Sequence, residues 1–587
     1  MINVHSADWS AGHLAGQVCG VPDHLTSMLS GDPAVQDAAF ANFYAEAHAE
    51  GAVDPCTAAS LPFLFAMADD AATPCRGRIV ELLLSIGRAS LNYADDDICF
   101  SVHGVESTAH VYINAEMPRR ADAFARYATD EDPLVRRPAI QAVGLFAADS
   151  ERIACLLNEC LRAESGIAEQ LLVVKAMARL AIRLPQAMPT AVTWLEEITD
   201  TPTTHPNAPL IRLAALIHRS QIEPGGNTSG LVPRAIALLQ EIATYPSAQT
   251  PCDGCRWCQA TSHVQGRDVA PTVSPAHLAA DFFDPDHIWQ EHSPVSSVLR
   301  TLHTVLGDRI AERSDLLVAQ LSSPDTATRY DAIAMAECLP GPLPRPVLRR
   351  LLALLPDDWA AARMTRGGFS TWHGGRLRVA PEDTTLLLDT LAEYTVIQRS
   401  VHGSDVWACG NPFVRQAYQE AIMTLADHRD PRALPDLIRS LDTRVDDWRA
   451  LYGVGGYPQA ADRLVPLLAE GLRRVDPERP NAPIPAGLYL SCLAELKDPI
   501  AIPVLTETLA WAQIHHSWSM VTSVLKALAA FGRRAQTTHA LIRPLTDSPH
   551  AEVRAAAEAT LDAFTASPQA APGRPQQTSN YGTKAPY

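Results

Sequence analysis

A chain of 587 residues is too long for one compact core, since single cores stop growing near roughly 250–300 residues. Several domains or one extended repeat array are therefore required, and 47% hydrophobic residues with only 6% aromatics favour small, closely packed helices over a β-rich interior. Asp and Glu outnumber Lys and Arg 66 to 48; the net charge of −18, with no basic stripe to relieve it, argues against nucleic acid and for a basic partner.

The start, MINVHSADWSAGHLAG, has no basic stretch leading into an apolar run, so no signal peptide is expected. No stretch approaches ~18 uninterrupted apolar residues, so no membrane helix is expected and the chain reads as cytoplasmic. GDPAVQDAAFANFYAEA (31–47) opens a helix: Asp before Pro caps free backbone N–H groups, and Pro fits the first turn. LPFLFAMA (61–68) reads as its partner helix. Residues 92–117 break the helical period and read as a loop or short hairpin. DPLVRRPAIQAVG (132–144) repeats the Asp-Pro start, with Val135, Ala139, Ala142, Val143 and Phe146 on one face and alanines that let a neighbouring helix approach closely. Pro138 departs from the pattern and implies either a helix that begins there or a kink. The twelve cysteines are scattered singly, apart from Cys155/Cys160 and a cluster at 252–258. That scatter suits reduced, buried thiols better than a disulfide framework.

Residues 245–275 carry the cysteine cluster in a stretch containing Pro, Gly and Ser. PDTATRYDAIAMA (324–336) and DSPHAEVRAAAEATL (547–561) return to the Arg-x-x-Ala step begun by Arg136, while Gln36 takes the Arg position near the N-terminus. Residues 364–382 and 403–412 are further irregular segments. DPRALPDLIRSL (430–441), ADRLVPLLAEGL (461–472) and KDPIAIPVLTETL (497–509) each set an apolar residue and a Pro before a Leu-rich helix; Pro435, Pro466 and Pro503 are 31 and 37 residues apart. Helix pairs at this spacing are the mark of a stacked α-solenoid, in which each pair buries its apolar face against its neighbours. The tail over 566–587 lacks apolar periodicity and reads as disordered.

At these residues the chain resembles the HEAT-repeat family, including the HEAT-like repeats named after phycobilisome lyases. The stretch SMLSGDPAVQDAAFANFYAEAHAEGAVDPCTAASLPFLFAMADD is similar to the N-terminus of actinobacterial HEAT-repeat proteins. The resemblance spans most of residues 25–565 and implies fold rather than function.

Chemistry is sparser than architecture. In PCDGCRWCQATSH (251–263), Cys252, Cys255, Cys258 and His263 supply a Cys3His set, so zinc is the cofactor this stretch admits. Four protein ligands leave no vacant position, so such a zinc pins a loop and does not catalyse. The same C-x2-C-x2-C spacing suits an iron–sulfur cluster, but Ser262 stands where the fourth cysteine belongs and a remote ligand is then required. The third reading is a plain loop of free or reversibly oxidised thiols. His515-His516 read as surface or packed histidines, GVGG (453–456) as a turn, and Asp95-Asp96-Asp97 as a solvated acidic loop. No HExxH, GxSxG, Walker A or GxGxxG signature is present, so no catalytic set emerges. Trp257, Trp372 and Trp407, with His373 beside Trp372, lie in Gly-, Ser- and His-containing segments and are candidate contact residues; the alternative is that each tryptophan folds back on its own loop.

The sequence thus predicts an all-α, right-handed superhelix of HEAT-type helix pairs, with ~40–47 residues per unit giving about ten to twelve repeats. Repeats fill 1–244, a Cys/His segment 245–300, and further repeats 301–565. The expected role is a non-enzymatic scaffold for a protein or peptide, one form being an immunity or antitoxin protein that neutralises a basic toxin. The rival is a HEAT-like lyase or protein-modifying factor that uses the Cys/His segment.

Overall fold

A computed structural model describes residues 20–48, 53–92, 109–201, 208–223, 230–244, 294–357, 377–403, 411–442, 449–475 and 483–565, with isolated residues between. Every regular element among them is a helix, and none is long and apolar enough to cross a membrane. The chain parts into two units, Met1–Pro340 and Gly341–Tyr587.

The first unit runs α1 (Val21–Ser27), α2 (Pro33–Ala47), α3 (Pro55–Asp69), α4 (Arg76–Asn92), α5 (Ala109–Arg119), α6 (Ala121–Tyr127), α7 (Pro133–Phe146), α8 (Ser150–Ala163), α9 (Ile167–Arg183), α10 (Met188–Asp200), α11 (Ala208–Ile222), α12 (Leu231–Ala243), α13 (Pro294–Leu306), α14 (Ile310–Leu321) and α15 (Thr326–Glu337). One layer is built by α4, α7, α9, α11, α13 and α15, each packed on the next, and α8, α10, α12 and α14 flank it. This is the stacking of a HEAT-like α-solenoid, and one continuous apolar core follows it from Val21 to Leu316.

The second unit runs α16 (Arg345–Leu352), α17 (Thr384–His402), α18 (Pro412–Asp427), α19 (Leu434–Asp442), α20 (Arg449–Val454), α21 (Ala461–Arg474), α22 (Pro483–Leu496), α23 (Ile502–Ile514), α24 (Trp518–Ala529), α25 (His539–Ile542) and α26 (Ala551–Thr565). Here α18, α20, α22, α24 and α26 stack in series. The plan is the same.

The repeated phrases have direct physical roles. Asp32 and Asp132 accept the N–H of Ala34 and Leu134 and start α2 and α7, each with Pro at the first position. The recurring Arg is a staple. From the first turn of its helix it reaches back to the carbonyl six residues earlier: Arg136 to Asp130 (2.9 Å), Arg329 to Ser323 (2.8 Å) and Arg554 to Ser548 (2.6 Å). Gln36 does the same to Ser30, which explains the exchange of Arg for Gln at that position. The alanine-rich face permits close packing: a Cβ on Gly144 of α7 would lie 2.6 Å from the Ala176 carbonyl oxygen of α9.

Three local readings need correction. Residues 109–117, expected to be irregular, belong to α5; Ala109, Ile113 and Met117 share its buried face, a helical spacing obscured by the β-branched and aromatic residues around it. Helix α7 begins at Pro133 and passes through Pro138, so Pro138 is no start. Pro435 and Pro503 do stand at the second position of α19 and α23, each after a short 3-10 turn begun by Asp-Pro. Pro466, by contrast, lies inside α21, which opens at Ala461 behind its own turn Pro458–Ala460.

Candidate interaction surface

The residues expected to make contacts, Trp257, Trp372, His373 and Trp407, lie outside the described residues, as do Cys252, Cys255, Cys258 and His263. Among the described residues no group of three or more His, Cys, Asp or Glu is placed to hold a metal ion. The surface must be read from charge, exposed side chains and buried polar groups.

Charge divides sharply between the units. Residues 1–340 carry 41 Asp and Glu against 22 Lys and Arg, a net −19; residues 341–587 carry 25 against 26, a net +1. Within the first unit no Lys or Arg precedes Arg76. Many of its acids are spent on structure: Asp37 pairs with Arg78, Asp69 with Arg126, and Glu164 takes both Nε and Nη2 of Arg136. Asp23, Glu131, Glu151, Glu159 and Asp315 remain exposed and supply an outward negative field.

Among the described residues, the most deeply buried ion pair lies in the second unit. Asp436, fully buried on α19, accepts Arg399 Nη1 from α17 at 2.5 Å and the Tyr418 hydroxyl from α18 at 2.6 Å, with Arg439 3.7 Å away. Burial first, and the Asp436 carboxylate second, hold the Tyr418 phenol far above its usual range, so it stays protonated and donates. Each charge meets its partner, and the three helices are tied by one carboxylate. This network fastens helices; it offers no open position to a substrate.

Other titratable groups are also structural. His303 of α13 is buried with Nε2 2.9 Å from Gln320 Oε1; burial pushes its imidazole down to about 4, the nearby Arg313 and Arg300 adding to the shift. The Cys160 and Cys492 thiols donate to the carbonyls of Ala128 and Leu451, and burial pushes them up to about 11 and about 12. Such thiols are unreactive packing groups. Among exposed aromatics, His515 stacks on Trp511 (ring centroids 4.3 Å apart) and His550 lies against Trp518 (4.5 Å), with Ile514 73% exposed beside them.

Sequence reasoning missed the Asp436 network and the division of charge. Asp436 sits in the quoted phrase DPRALPDLIRSL, but its partners are 37 and 18 residues away and no periodicity connects them. The charge was present in the sequence; its division became legible only with the boundary between the units.

No family model matches the chain, and no curated protein matches it. Solved structures similar to it include importin beta, at 12% identity over 92% of this chain and 71% of that one (TM-score 0.37). Kap121p bound to Nup53p is similar at 12% identity over 92% of this chain (TM-score 0.36), and this chain spans about half, 52%, of its length. SYS-1 is similar at 10% identity over 93% and 99% of the two chains (TM-score 0.22). At these values the assignment of an all-α, HEAT-like solenoid rests on the chain's own stacked helix pairs.

Proposed function

We propose that this chain is a non-enzymatic α-solenoid scaffold that binds a basic protein or peptide through its first unit. The observation that carries the reading is the placement of the whole net charge there, −19 against +1. A net negative charge of this size creates a field that speeds encounter with a cationic partner and disfavours anionic ones. An antitoxin-type role is the form of this reading in which the partner is a basic toxin. Trp257 is assigned as a contact residue of this unit, and Trp372, His373 and Trp407 as contact residues of the second unit, on the strength of their residue type and their Gly-, Ser- and His-containing surroundings.

The test is stoichiometric capture from lysate with the full chain, followed by association kinetics at 50 and 500 mM salt. The expected result is a basic protein bound one to one, with an on-rate at least tenfold slower in high salt, because surface fields are screened beyond a Debye length of ~8 Å at physiological salt. Salt-independent binding, or a partner of acidic character, overturns the reading. Turnover or a coloured cofactor in the captured material would support the lyase or protein-modifying alternative built on the Cys/His segment.

A further inference from the structure

We propose that Cys409 and His402 form a thiol–imidazole pair that exchanges with low-molecular-weight disulfides, making the α17–α18 connection a site of reversible thiol modification. His402 is the last residue of α17, and its Nδ1 lies 3.9 Å from Cys409 Sγ. Cys409 is held in place by its own turn, its N–H bonded to the Val406 carbonyl at 3.1 Å, with Val406 fully buried. Arg415, from the first turn of α18, reaches the Cys409 carbonyl at 3.5 Å with the same six-residue reach as the other staples and fixes the backbone that carries the sulfur. A sulfur within reach of a base is the arrangement that activates a thiol nucleophile.

The contrast with the other thiols is what gives the pair its meaning. Cys75, Cys160 and Cys492 each direct the sulfur at a backbone carbonyl, which accepts a proton bond but cannot take the proton away. Cys155 and Cys338 are more exposed than Cys409, and among the described residues no histidine is bonded to either sulfur. Exposure alone therefore ranks Cys409 behind Cys155 and Cys338. The pair ranks it ahead.

The chemistry balances without any further reactant. Cys409 passes its proton to His402 Nδ1, and the thiolate attacks one sulfur of the disulfide RS–SR. The S–S bond breaks, a Cys409–S–S–R bond forms, and the departing RS⁻ takes the proton back from the imidazolium. Cys409 is oxidised and the departing sulfur reduced; an excess of small thiol reverses the step. The modification places a new group beside His402, the last residue of α17, and so alters the surface at that end of the helix.

The test is site-resolved mass spectrometry of the full, reduced chain exposed to oxidised glutathione at neutral pH. The expected result is mixed disulfide at Cys409 forming at least tenfold faster than at Cys155 and Cys338, removed by reduced glutathione. His402→Ala should bring the Cys409 rate down to that of the two exposed thiols while leaving theirs unchanged. The comparison among three thiols of one molecule needs no variant, so a folding defect in His402→Ala does not weaken it. Equal or slower reaction at Cys409 overturns the proposal, and so does a rate that His402→Ala does not alter in a variant with unchanged helix content.

Discussion

The two units share one plan and differ in where they put charge. The first carries the surplus of acids and packs a continuous apolar core from Val21 to Leu316. The second is balanced overall and buries a carboxylate, Asp436, among Arg399, Tyr418 and Arg439. The difference shows what a helix-pair repeat constrains. Caps, the Arg staple and the small residues at close approaches recur because the stacking needs them. The remaining positions are free: both units use some of them for inward ion pairs, on Glu164, Glu169 and Asp331 in the first and on Asp436 in the second, while the net surplus of acids falls in the first.

The strongest way to break this comparison is Arg399→Ala. It leaves Asp436, 0% exposed, without its closest cation and with only Arg439 at 3.7 Å and the Tyr418 hydroxyl; breaking a buried pair costs about 3–5 kcal/mol, of which Arg439 offsets a part. Repeats contact only their neighbours. Hydrogen exchange should therefore accelerate over residues 384–442 while residues 109–183 keep their protection. Equal protection in wild type and variant over 384–442 would reduce the network to a surface ion pair. The counterpart in the first unit is Gly144→Ala, whose new Cβ presses on backbone at 2.6 Å. Overpacking of this kind costs about 1–3 kcal/mol, and the loss should fall on α7 and α9, with 384–442 unchanged.

Acid sharpens the contrast through His303. Its folded value, about 4, lies below the ordinary 6.5, so the unfolded chain binds more protons at intermediate pH. The stability contributed by keeping the ring neutral is full above pH 6.5 and is lost as the pH falls from 6.5 toward 4. Between pH 7 and 5 the loss is about 2 kcal/mol by linkage. Measured by denaturant unfolding, His303→Gln should lose less stability over that interval than wild type. A variant with the same pH slope as wild type would show that other groups set the acid response.

Much of this architecture was legible in the sequence because local physics writes it there. Asp-Pro caps, Leu-rich helices and the Arg position are all contained within a single helix and its preceding turn. Even the Gln36 exchange could be seen before its bond to Ser30 gave it a reason. What could not be read spans elements. Asp436, Tyr418 and Arg399 meet only when three helices stack, and α5 was hidden by residues that favour strands locally but are overruled by burial of Ile113 and Met117. Pro466 misled for a related reason: the same Leu-Val-Pro phrase can open a helix or sit inside one, and only the preceding turn decides.

The smallest effect on the helices is expected from the cysteine stretch at 252–263. If Cys252, Cys255, Cys258 and His263 hold zinc, the purified chain should contain about one zinc per molecule, since four thiolate and imidazole ligands complete a tetrahedral site. Cys255→Ser should release that metal, because a serine hydroxyl is a poor replacement for thiolate. The unfolding midpoint of the helices should stay put, as each pair is stabilised by its neighbours. A large fall in helix content on metal loss would make the zinc fold-determining and would give the central stretch a structural weight that neither unit's packing requires. A brown preparation would move the assignment to iron–sulfur with a remote cysteine recruited. Metal-free protein in which all three thiols alkylate readily would return the stretch to an ordinary loop, leaving the charge of the first unit as the chain's main means of attracting a partner.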